Sequence, residues 1–150
     1  MKSKFVYVTY IKTTPEKLWQ ALTTPQLMKQ YWLGMETEAD WKSGSVWTMK
    51  FPDGRVADAG EIVEFSPPNC LVIKWRNEWN SEMKGEGFSR CTFDLEQTGG
   101  AVKLTITHGI DVQNSKFIES VSDAWPICLS NLKSLLETGH VVMKENPRHI

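Results

Sequence analysis

One change of period constrains this chain more than any other feature. From Ile118 to Leu136 the apolar residues Ile118, Val121, Trp125, Cys128, Leu129, Leu132, Leu135 and Leu136 recur at steps of three, four and one. That spacing is one face of a 3.6-residue repeat and predicts a long amphipathic helix. Gly139 supplies its stop. Pro126 removes the bond from its own nitrogen to the carbonyl of Ser122 and predicts a kink or a restart. Upstream of Gly109 the texture is different, with short alternating runs broken by turn residues. A sheet must cover its apolar face, and this helix is the only long amphipathic element available to do so.

The alternating runs can be placed one by one. Residues 4 to 11 put Phe5, Tyr7, Thr9 and Ile11 on one face and Val6, Val8 and Tyr10 on the other, predicting a strand with little exposure on either side. Thr14 then caps, with Pro15 at the first position, a helix running to Thr23; Thr24 and Pro25 repeat the device for a second helix ending near Gly34. From Met35 to His108 about six strands follow. They are separated by turns such as Pro52-Asp53-Gly54, Ser66-Pro67-Pro68-Asn69 and Thr98-Gly99-Gly100, all too short for helical crossovers. The polar segment Asn77 to Glu86 reads as a loop or a fraying hairpin, and the tail from Lys144 to Ile150 as frayed. The sum is an α+β chain of 150 residues in one domain, with its core at about 4–139 and an antiparallel meander wrapped on a C-terminal helix.

Charge and composition remove several functions. Seventeen Lys and Arg against eighteen Asp and Glu leave a formal net charge of −1, with no basic run to bind nucleic acid. No apolar stretch approaches the ~20 residues that span a bilayer. Thr9, Tyr10 and Lys12 interrupt the apolar N-terminal run, which reads as a strand and not as a signal peptide. Cys70, Cys91 and Cys128 form no CxxC pair, so no disulfide framework or thiolate zinc site is expected, and a reducing cytoplasm is the natural location. With His108, His140 and His149 far apart, neither a metal nor a cofactor is expected.

Seven Trp residues are the one unusual feature of the composition. The fold should bring Trp32, Trp75, Trp79 and Trp125 around the space between sheet and helix, with Leu129 beside Trp125 on the helix face. An aromatic-lined pocket for a flat or greasy small molecule is one reading, and simple core packing is the other. His108 shares a face with Val102, Leu104 and Ile106, where its imidazole needs a partner; Asp123, one turn from the helix face, is the candidate carboxylate. These two are the only candidates for catalysis, and no complete catalytic constellation can be assembled from the sequence. Arg76 and Arg90 fall on the outer face by alternation, and Asp58, Glu61 and Glu64 are expected on the outer face as well.

Three motifs carry a resemblance over nearly the whole chain: TTPEKLWQALTTPQL at 13–27, YWLG at 31–34 and WPICLSNLKSLLETG at 125–139. Together they resemble the bacterial activator of Hsp90 ATPase homologue 1-like family of the START-like (SRPBCC) superfamily, the polyketide cyclase/dehydrase and lipid-transport group. The resemblance implies a helix-grip fold, in which a curved seven-stranded antiparallel sheet grips the last helix around a deep hydrophobic cavity. It offers no family-wide catalytic motif, and the extra N-terminal domain of the eukaryotic activators has no counterpart here. Three functions are compatible with it: binding of a hydrophobic small molecule, an enzyme of cyclase, dehydratase or hydrolase type, and a protein-interaction module.

Overall fold

A computed structural model describes residues 1–148. The elements follow in the order β1 (Ser3–Ile11), α1 (Pro15–Thr23), α2 (Pro25–Tyr31), β2 (Glu36–Ala39), β3 (Val46–Lys50), β4 (Val56–Ser66), β5 (Cys70–Asn77), α3 (Ser81–Gly85), β6 (Ser89–Thr98), β7 (Ala101–Ile110) and α4 (Lys116–Thr138). The strands form one antiparallel sheet in the order β1-β7-β6-β5-β4-β3-β2. Every connection from β2 to β7 joins strands that are neighbours in this order. Only the step from β1 crosses the sheet, and the two short helices span it. The expected helix-grip architecture is therefore present, with α4 lying across the concave face.

Local chemistry explains the helix ends. Thr14 accepts from the amide of Lys17 and caps α1, and Pro occupies the first turn of both α1 and α2, where a missing N–H costs nothing. Ser115 caps α4 by accepting from Ile118, and the Glu86 carboxylate accepts from Ser115 Oγ and from the amides of Lys116 and Phe117. A carboxylate at this end also suits the positive pole of the helix. At the other end Gly139, at φ 86°, returns its amide to the carbonyl of Leu135.

Four expectations need correction. Val6, Val8 and Tyr10 are 48%, 45% and 50% exposed, because they point to the face of the sheet turned away from α4, which no described element covers. Residues 77–86 are not a plain loop: Asn80 caps the short helix α3 by accepting from Met83, which is buried. α4 runs through Pro126 as one helix of 23 residues and does not restart. The tail, finally, is not frayed through 148. Buried Asn131 donates to the carbonyls of Tyr31 and Met143 and accepts from the amides of Val142 and Met143, and within the tail Arg148 donates to Asn146 Oδ1 and to the carbonyl of Ser120 on α4. Residues 149–150, including His149, lie outside the described residues.

Candidate functional site

The concave face of the sheet is built in cross-strand rows. One row is Trp47 on β3, Gly60 on β4 and Trp75 on β5. Gly60 is required there, since an added Cβ would collide with the carbonyl of Lys74. With no side chain between them, the two indoles meet across it at 4.5 Å between ring centroids. Trp32, which follows α2, and Trp125, on α4, close over this pair: Trp32 lies 4.7 Å from Trp125 and 6.1 Å from Trp75, and Trp75 lies 5.9 Å from Trp125.

This aromatic cluster divides the space under α4 in two. On the inner side a void of about 20 Å³ is bounded by Trp47, Trp125, Leu129 and the apolar core. It has room for roughly one water-sized sphere, so the interior is packed and the deep cavity implied by the resemblance is almost filled. On the outer side a cavity of about 260 Å³ opens towards solvent. Trp32 and Trp75 bound both spaces. The outer cavity is completed by Phe51 and Pro52 from the β3–β4 hairpin, by Trp79 after β5, by Phe117 and Val121 from α4, and by Asn146 and Arg148 from the returning tail. Trp79 is 42% exposed and meets Phe51 edge to face at 6.3 Å.

The next row outward on the sheet is Met49, Asp58 and Asn77. Asp58 lines the outer cavity and is 9% exposed, which corrects its expected place on the outer face. A bulge in β4 between Ile62 and Glu64 is the reason. Counting back by alternation from inward-facing Phe65 puts Asp58 outside, but the extra residue shifts the phase, so Asp58, Gly60 and Ile62 face the concave side. Burial pushes the Asp58 carboxyl up to about 7; the Trp75 indole beside it acts in the opposite sense, and the charge of Glu78 adds to the rise. The Trp75 N–H nevertheless completes no well-formed hydrogen bond. No cation pairs with Asp58 among the described residues. Arg76 and Lys84 are engaged by Glu78, and Arg148 is held by Asn146 and the carbonyl of Ser120.

His108 is fully buried and lines neither space. Its Nδ1 accepts from the indole N–H of Trp125 at 3.1 Å, and its Nε2 lies 2.9 Å from Ser89 Oγ. The Ser89 hydroxyl donates to the carbonyl of Trp75, so the remaining bond requires Nε2 to carry the proton. This neutral tautomer satisfies every group, and burial pushes the imidazole down to about 3. Both nitrogens are spent on structure, leaving none for a substrate. Asp123 is exposed and is not a partner of His108, so the expected acid–base pair does not form. Burial also pushes the Cys70 and Cys128 thiols up to about 12 and raises that of Cys91, which keeps them protonated. Among the described residues no group of His, Cys, Asp or Glu could hold a metal ion. No described helix is long and apolar enough to cross a membrane.

The family model described as activator of Hsp90 ATPase homolog 1-like protein matches residues 12–137. The chain belongs to this family. Among solved structures it is similar to the Aha1 dimer of Colwellia psychrerythraea, at 23% identity and a TM-score of 0.75 over 91% of this chain and 98% of that one. An HSP90 activator from Plasmodium falciparum matches at 23% identity and a TM-score of 0.71, covering 91% and 96%. CalU16 from Micromonospora echinospora matches at 18% identity and 0.73, covering 91% and 77%. At these identities the likeness concerns the fold. No curated protein matches the sequence.

Proposed function

We propose that this family member binds a small, largely apolar ring compound in the outer cavity. The observation that carries the reading is an open space of about 260 Å³ lined by Trp32, Trp75, Trp79, Phe51 and Phe117. Aromatic and apolar walls with a few placed polar groups are what small-molecule sites are made of, and the volume sits just below the usual range of roughly 300–1,000 Å³. The ligand is accordingly small. It rests against Trp75 and Trp79 and takes its orientation from the polar groups at the cavity margin, Asp58, Asn77 and Arg148.

The test is a titration of Trp fluorescence with 2-phenylethanol, a neutral probe of suitable size, on the wild type and on Ala124→Phe. Ala124 lines the cavity from α4. The expected result is a saturable change in the wild type that the larger side chain abolishes while the circular dichroism of the fold is kept. An emission that ignores the probe, or a response equally strong in Ala124→Phe, would defeat the reading.

A further inference from the structure

We infer that the cavity selects an organic cation, an amine carried on an aromatic or apolar body, and that Asp58 is the residue that selects it. The inference rests on the small-molecule reading above and adds the chemical class of the ligand. A carboxyl group is expensive to bury unless a counter-charge and hydrogen bonds accompany it. Asp58 is 9% exposed and lies on the cavity wall; among the described residues it has no counter-charge, and the Trp75 indole beside it completes no well-formed hydrogen bond.

The charged and polar groups facing Asp58 can be taken element by element. Across the sheet its neighbours are Met49 on β3 and Asn77 on β5, both uncharged. Beyond Asn77 lies Glu78, whose negative charge opposes ionisation of Asp58; Glu78 is itself neutralised by Arg76, with Nε to Oε2 at 2.6 Å, and by Lys84 at 3.4 Å. Arg148, from the returning tail, is tied to Asn146 and Ser120 on the α4 side and is not among the charges acting on Asp58. Among the described residues, then, no side chain supplies a counter-ion to Asp58.

The rest of the wall suits a cation as well. Trp32, Trp75 and Trp79 line the same space, and indole is the strongest aromatic partner for a cation. A protonated amine entering here donates N–H to the carboxylate and lays its body on the indoles. An acid meets the uncompensated carboxyl and is rejected, and a neutral alcohol gains only the apolar contact.

Three probes of matched shape separate these outcomes: 2-phenylethylamine, 2-phenylethanol and 3-phenylpropanoate, titrated by Trp fluorescence at pH 8 on the wild type and on Asp58→Asn. The variant removes an unpaired buried charge and keeps the shape, so its fold is expected to persist. The wild type should bind the amine about tenfold or more tightly than the alcohol, as a charge-assisted hydrogen bond implies, and Asp58→Asn should bind the two alike. Equal binding of amine and alcohol by the wild type, or an amine preference that survives in Asp58→Asn, overturns the role of Asp58 and leaves the cavity reading intact. A preference for the acid overturns it too and makes Arg148 the anchor. If none of the three probes binds, the small-molecule reading falls together with the inference.

Discussion

The indole N–H of Trp125 donates to Nδ1 of His108 at 3.1 Å, joining the middle of α4 to β7 through two side chains that are both shut off from water. Trp125→Phe leaves that nitrogen without a donor and opens space beside it. We expect a loss of about 2–4 kcal/mol, read from urea denaturation, because an orphaned buried acceptor and a cavity add. A loss below about 1 kcal/mol would mean that the bond contributes little.

His108 and Asp58 give stability opposite dependences on pH. His108 titrates near 6.5 when unfolded and about 3 when folded, so the unfolded chain binds more protons between these values, and stability falls as pH drops from 6.5 towards 3. Asp58 titrates near 3.8 unfolded and about 7 folded. The folded chain binds more protons in that window, and stability falls as pH rises from about 4 to about 7. The two slopes offset each other over their common range. Asp58→Asn removes one of them, and should be more stable than the wild type by a few kcal/mol at pH 8, with the gap closing towards pH 4. Denaturation midpoints at pH 4, 6 and 8 check this; a gap independent of pH would contradict it.

Gly60→Ala tests the close approach of β4 and β5. The added methyl group meets the backbone carbonyl of Lys74, which cannot swing away as a side chain could. The strands must separate locally, at a cost of about 3 kcal/mol or more. The near-ultraviolet circular dichroism of the Trp47–Trp75 pair should weaken in parallel.

Asn131→Ala removes all four hydrogen bonds between its side chain and the backbone of Tyr31, Val142 and Met143. The segment carrying Asn146 and Arg148 is then untied from the cavity margin. The expected results are a loss of about 2 kcal/mol and faster limited proteolysis after residue 140, with α4 itself still protected.

The thiols give a simple control. Cys91 and Cys128 are buried and Cys70 is half-buried, and all three are held protonated. At pH 8 a thiol reagent should label the native protein slowly and the urea-unfolded protein about three times per chain, as three cysteines require. Rapid labelling of the native state would show an opening absent from the structure.

How much of this was legible in advance depended on whether period alone decided it. The long helix, the paired Pro-capped helices and the meander follow from local spacing, and each lies where that spacing puts it. The errors come where one residue changes a phase or a distant group satisfies a local one. The β4 bulge moves Asp58 from one face to the other, and nothing local in its sequence marks the extra residue. Asn131 reads as a polar interruption of an apolar stripe until its partners beyond Gly139 are known. His108 was recognisable as a buried imidazole in need of partners, but Ser89 and Trp125 come from two other elements, and only the fold identifies them. Trp32, Trp75 and Trp79 line the outer cavity, Trp125 and Leu129 border only the inner void, and His108 borders neither.

The four central indoles are close enough to exchange excitation among themselves, with successive ring centroids 4.5 Å, 5.9 Å and 4.7 Å apart from Trp47 through Trp75 and Trp125 to Trp32. Light absorbed by any one of them belongs to the group. Emission from the protein is therefore not a sum of independent reporters, and replacing one ring will alter the spectrum of those that remain. Because Trp32 and Trp75 also face the outer cavity, whatever touches that wall is sensed by the whole set, including rings it never contacts.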